Sequence, residues 1–263
     1  AMVEILIVQQ KFDEAQEQRY RVVKRYDKSS SWYKTNQKYS ESVKNAENAI
    51  RSAMLDIPQF HHARAAKLWK EGDTEGAKKE YGNAIQNYNA FLKRYAKEPS
   101  WDEYKVHINL ALVYQEMGQP SKAAQMFNWI VDSDTARYGR RPMGSAALLK
   151  KEEAGYNAVL MMDQARETAK KNKAGDDPVK AYSLPETKAY FDQVAKYMAK
   201  FGSQKEAAEL AYNAAIVHYQ AKQYKVAVDV LRKLRVDYPK HQYILLISRM
   251  LAQSLLEAGQ LDD

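Results

Sequence analysis

The residues best suited to acid–base or metal chemistry in this 263-residue chain are five histidines, at positions 61, 62, 107, 218 and 241. There is no cysteine, which excludes disulfides, thiolate zinc sites, iron–sulfur clusters and a cysteine nucleophile. His61-His62 is the only adjacent pair. Sequence neighbours on a helix point to different faces, so one ion cannot readily take both, and neither has a second histidine four residues on. The Gly-x-Ser-x-Gly elbow is missing, because Gly144-Ser145 lacks its second half. The segment from Gly72 to Lys78 lacks the spacing and the Ser/Thr of a phosphate loop, and no Gly-x-Gly-x-x-Gly occurs. Glu152-Glu153 and Asp176-Asp177 read as solvated faces rather than as an acid–base pair. The expectation is no catalytic residue, no metal, no cofactor and no enzyme.

What remains is a question of scaffolding. Ten Gly and seven Pro are few for this length, so long uninterrupted elements are expected. No stretch alternates apolar and polar residues as a strand would. Four segments share one pattern: a turn, a small Ala, a bulky apolar residue about four positions on and another three later. They begin at Gly72, Gly118, Lys222 and Lys11, with anchor alanines at Ala77, Ala123, Ala227 and Ala15. A small residue early in a second helix lets the first helix approach, and bulky residues at helical spacing fill the space beyond. First helices lie upstream: Ile108 to Tyr114 before Gly118, Ala208 to His218 before Lys222, and Met250 to Leu255 before Gly259.

These residues resemble the tetratricopeptide repeat, a helical hairpin of about 34 residues. The anchors lie 62, 46 and 104 residues apart, so helices are lengthened or inserted between recognisable units. The resemblance implies an all-α fold, a right-handed superhelical α-solenoid of such hairpins forming a single array over 1–263. Within it, 1–58 holds N-terminal helices and 59–134 two units. Residues 135–185 hold a basic loop, a long helix from about Ser145 to Lys171 and a flexible loop over Lys170–Pro178. Residues 186–263 hold C-terminal units, with a helix from about Pro185 to Phe201. Ile57-Pro58 is expected to interrupt a helix that starts near Ser40. Ala1 before Met2 reads as a cloning scar, and both ends read as cut from a longer repeat protein.

A narrower resemblance covers mainly 186–263. The run Tyr224-Lys225-Val226-Ala227 with Leu231, Leu234, Asp237-Tyr238-Pro239 and Tyr243 is similar to bacterial cell-envelope tetratricopeptide proteins. Such proteins include outer-membrane assembly lipoproteins, Tol–Pal-associated periplasmic proteins and gliding-motility proteins. Phe201-Gly202-Ser203 sits where those families often carry Phe-Pro-x-Ser, and the Pro is missing here. This resemblance implies a periplasmic or outer-membrane-associated scaffold, with a cytoplasmic location left open. The N-terminal run from Ala1 to Val8 lacks the basic start and the length of a signal peptide and is interrupted by Glu4, and no apolar run approaches the ~18 residues of a membrane span.

In tetratricopeptide arrays the first helix of each hairpin lines the concave surface, which implies a protein or peptide partner there and no small-molecule substrate. Counting back from the turns, the inward positions are His62, Trp69, Lys70, Lys105, Gln115, Glu116, Tyr212, Tyr219, Gln220, Arg249 and Gln253. Their aromatic, amide and charged groups suit an extended peptide. A terminal-carboxylate clamp is not expected, since its positions hold His62 and Ala66, with only Asn109 matching. The net charge of +8 raises nucleic acid as an alternative partner. Cations interspersed with acids, as in Arg166-Glu167 and Lys205-Glu206, favour solvated helix faces instead. Local excess lies at Arg137, Arg140 and Arg141 and at Lys170, Lys171 and Lys173, two candidate loops for an acidic partner.

Overall fold

The computed structural model describes residues 2–140 and 148–260. Among them every regular element is helical: α1 (Met2–Val8), α2 (Phe12–Tyr26), α3 (Ser31–Asn36), α4 (Ser40–Lys70), α5 (Thr74–Arg94), α6 (Trp101–Glu116), α7 (Pro120–Asp132), a 3-10 turn at Thr135–Tyr138, α8 (Lys151–Lys173), α9 (Pro178–Tyr182), α10 (Pro185–Phe201), α11 (Ala207–Gln220), α12 (Tyr224–Asp237) and α13 (Ile244–Ala258). The chain divides into two compact units. One holds residues 2–117 and 133–140, the other 118–132 and 148–260.

One turn geometry recurs five times. Gln10, Gly72, Gly118, Lys222 and Gly259 each follow a helix and each have a positive φ, between 59° and 86°. At four of them the turn residue donates its N–H three residues back, and the next residue donates five back: Gly72 to Trp69 O and Asp73 to Leu68 O, Lys222 to Tyr219 O and Gln223 to His218 O, and likewise at Gln10 and Gly259. These bonds satisfy carbonyls that the helix end leaves open. Five residues after the first four turns stand Ala15, Ala77, Ala123 and Ala227, each 0% exposed. Seven residues before three of them stand Ala65, Ala111 and Ala215, also 0% exposed. Small residues thus sit at fixed register on both sides of the turn. Around these alanines α1 packs on α2, α4 on α5 and α11 on α12.

In the first unit α2 and α5 both flank α4, and Ile50, Ile57, Tyr81, Tyr88 and Phe91 are buried between them. Arg94 joins the elements by ion pairs, 2.9 Å to both Glu47 on α4 and Asp27 after α2. In the second unit α7, α8, α10, α11, α12 and α13 each pack on the next. One cluster there holds Val159, Tyr190, Tyr197 and Leu210. Another holds Ala208, Ala211, Ala215, Leu231, Ile247 and Leu251. The Tyr238 hydroxyl donates to the Gly202 carbonyl, so the Tyr-Pro sequence after α12 pins the end of α10.

Three expectations are corrected. Pro58 does not interrupt its helix: α4 runs through it to Lys70, with Ile57 and Pro58 both buried. An interior proline costs about 3 kcal/mol; packing against α2 and α5 outweighs that, and the buried Gln16 of α2 donates to Ile57 O at 3.1 Å. The long helix begins at Lys151, where Glu153 accepts from the Lys150 N–H at 3.1 Å; the expected start at Ser145 lies outside the described residues. Lys170, Lys171 and Lys173 are not in a loop but in the last turn of α8, where cations favour the carbonyl end of the helix. The turn after them is short, and α9 begins at Pro178, capped by Asp177.

Candidate polypeptide-binding surfaces

In the first unit the first-helix positions lie on α4 and α6. His62 Nε2 stands 2.9 Å from Glu116 Oε2, with its ring 6.0 Å from that of Tyr81, so these two residues, distant in sequence, do meet. His61 faces elsewhere, its Nδ1 2.5 Å from Glu80 on α5 and its Nε2 3.0 Å from the Tyr20 hydroxyl on α2. The adjacent histidines therefore serve two faces. Trp69 is 47% exposed, and Lys70 and Gln115 are exposed as well. Lys105 is half-buried, 4.0 Å from Asp102, and stands about 15 Å along α6 from Gln115 at 1.5 Å per residue.

In the second unit the positions lie on α11 and α13. Gln220, Arg249 and Gln253 are exposed, the last two one turn apart on one face of α13. Tyr212 and Tyr219 are half-buried against the cluster shared by α11, α12 and α13. Their rings lie 6.5 Å from Tyr243 and 5.3 Å from Tyr224 respectively. They are packing residues with an exposed edge rather than free contact groups.

The expected charged patches fare unevenly. Arg137 and Arg140 are exposed in and after the 3-10 turn, which rests on α6 through Tyr138 against Trp101; Arg141 lies outside the described residues. Lys173 pairs with Glu186 at 2.6 Å. Lys205 pairs with Glu206 at 3.6 Å on the surface. Arg166 is instead 9% exposed, holding Asp163 and Glu167 over the Tyr190 ring.

Two further features were not read from the sequence. A cleft of about 320 Å³ opens between α10, α11 and α12. Phe191, Val194, Met198, Val230 and Leu234 wall it, and Ala211 and Ala214 floor it. His218 stacks on Phe191 there, centroids 4.0 Å apart and planes 7° apart, and its Nδ1 lies 3.0 Å from the Tyr182 hydroxyl. Burial pushes its imidazole down to about 4, so it is neutral near pH 7. The signal in sequence was the run of alanines on α11, which leaves room over that helix. The second feature is a shallow cleft beside the end of α2 and the start of α3, lined by Arg21, Lys24, Arg25, Ser31 and Trp32. Six-residue α3 follows no pattern long enough to read.

Among the described residues no group of three or more His, Asp or Glu side chains could hold a metal ion, and no helix is long and apolar enough to cross a membrane. Among the described residues the fold is all-helical. Comparison with known proteins found no family model, no curated protein and no solved structure that matches the chain.

Proposed function

We propose that this chain is a non-catalytic scaffold of tetratricopeptide-like hairpins that binds polypeptide segments, in a bacterial cell-envelope or motility assembly. One observation carries the reading. The two positions before the turn residue minus one, counted identically in three hairpins, hold Trp69-Lys70, Gln115-Glu116 and Tyr219-Gln220, all exposed or half-exposed. Aromatic, amide and charged groups that recur at one register of equivalent helices suit the backbone and side chains of an extended peptide. The envelope setting rests on the resemblance around Tyr224 to Tyr243.

Selection from a displayed library of random 12-residue peptides tests this reading. Enrichment of peptides that bind the isolated chain with micromolar affinity is expected; a library that yields no binder overturns it. The nucleic-acid alternative has one observation in its favour, the basic cleft of Arg21, Lys24 and Arg25 beside Trp32. Its binding would fall steeply with salt, so the absence of RNA binding at low salt disposes of it.

A further inference from the structure

The cleft between α10, α11 and α12 is built like a socket. Its walls are aliphatic and aromatic, its floor is made of alanines, and its one buried titratable group, His218, is held neutral. The Tyr182 hydroxyl engages Nδ1, and stacking on Phe191 fixes the ring plane. Preformed apolar concavities with a few placed polar groups are where ligands bind. Lys233 and Asp237, both exposed, flank the same cleft one turn apart on α12.

These features select an occupant. The volume of about 320 Å³ accommodates one large side chain rather than a segment of helix. The Phe191–His218 pair offers ring surface, which aromatic groups meet in offset or edge-to-face contact worth about 0.5–1.5 kcal/mol beyond area burial. In the tautomer whose Nδ1–H donates to Tyr182, Nε2 can accept from an indole N–H or a phenol O–H; in the other, Nε2–H can donate to a phenol oxygen. At the rim a cation and an anion stand together. A carboxylate-bearing or ammonium-bearing small molecule would meet one of them as a like charge. The C=O and N–H that flank a side chain in a peptide suit both, the carbonyl toward Lys233 and the amide toward Asp237.

We infer that this cleft takes one aromatic side chain of a bound polypeptide, tryptophan or tyrosine by preference. The assignment rests on the polypeptide-binding reading above and names the residue that such a segment would anchor.

The test titrates the full chain with N-acetyl-tryptophanamide and N-acetyl-leucinamide, watching the Met198 methyl and the His218 ring protons by NMR. Saturable shifts at both residues are expected with the tryptophan amide, and binding about tenfold weaker with the leucine amide. Ala195 is exposed at the rim on α10, so Ala195→Trp blocks the cleft without entering the core and abolishes the shifts. Ala214→Leu fills the floor from inside and does the same, provided its melting curve remains cooperative. No shift, equal affinity for the two amides, or an unchanged titration with Ala195→Trp overturns the assignment. Library-selected peptides separate this from the wider reading. If they bind and Ala195→Trp leaves their affinity unchanged, the socket falls and the scaffold stands. If the amide binds but no peptide is selected, the scaffold reading falls, and with it the claim that the occupant is a peptide side chain.

Discussion

At the scale of single residues, two of the five histidines are buried in the packing. His107 and His218 are both pushed down to about 4, chiefly by burial. In the unfolded chain each titrates near 6.5. Between these values the unfolded state binds more protons, so stability is complete above the unfolded value and declines as pH falls toward the folded one. Urea melts at pH 7 and pH 5 should differ by roughly 2 kcal/mol or more for the two histidines together, and His218→Gln should remove part of that difference. Asp27 behaves in the same sense, in a lower window. Hydrogen bonds from Ser29 and Arg94 hold it down to about 2, so its contribution is present above 3.8 and disappears in strong acid. Arg94 ties Asp27 and Glu47 together from a largely shielded position. Arg94→Met should cost about 1–2 kcal/mol in chemical denaturation, less than a fully buried pair would because both carboxylates are about a third exposed. None of these pairings was legible in the sequence. His62 and Glu116 are 54 residues apart, and no local pattern records which helices will lie side by side.

At the scale of elements, legibility followed the strength of the local signal. The turns at Gly72, Gly118 and Gly259 and the small anchors after the first two were readable because glycine and alanine are demanded there by backbone and space. The helix over Pro185–Phe201 was readable from its starting proline and its apolar spacing. Pro58 misled because the local cost of an interior proline is real while the compensating contacts come from α2 and α5. Lys170 to Lys173 misled because a charge run resembles a loop and also suits a helix C-terminus. Two turns carry the positive φ without glycine, at Gln10 and Lys222. A non-glycine residue there is strained by about 1 kcal/mol, so Lys222→Gly should stabilise the chain by about 0.5–1 kcal/mol, and Gly72→Ala should destabilise it by a similar amount. Thermal melts of the two variants check both signs. At the anchor positions space is the constraint: Ala227→Leu should lose about 1–3 kcal/mol through overpacking.

At the scale of the whole molecule, the two compact units carry separate strips of the proposed binding face, one on α4 and α6, the other on α11 and α13. The net charge of +8 overstates the free positive surface, since cations such as Lys196 and Lys200 on Asp132 and Arg166 on Asp163 and Glu167 are paired with acids. Tyr212 and Tyr219 are poor probes of binding because their removal would damage the core. Trp69, Gln115, Gln220 and Gln253 are better, being exposed or nearly half-exposed, with stability effects expected within about 0.5 kcal/mol for the glutamines. The most direct measurement is the affinity of a library-selected peptide for the wild-type chain and for a variant carrying Trp69→Ala, Gln115→Ala, Gln220→Ala and Gln253→Ala. A loss of about tenfold or more with an unchanged melting temperature is the expected result. Equal affinity for the two proteins would contradict the assignment of polypeptide binding to the first-helix face.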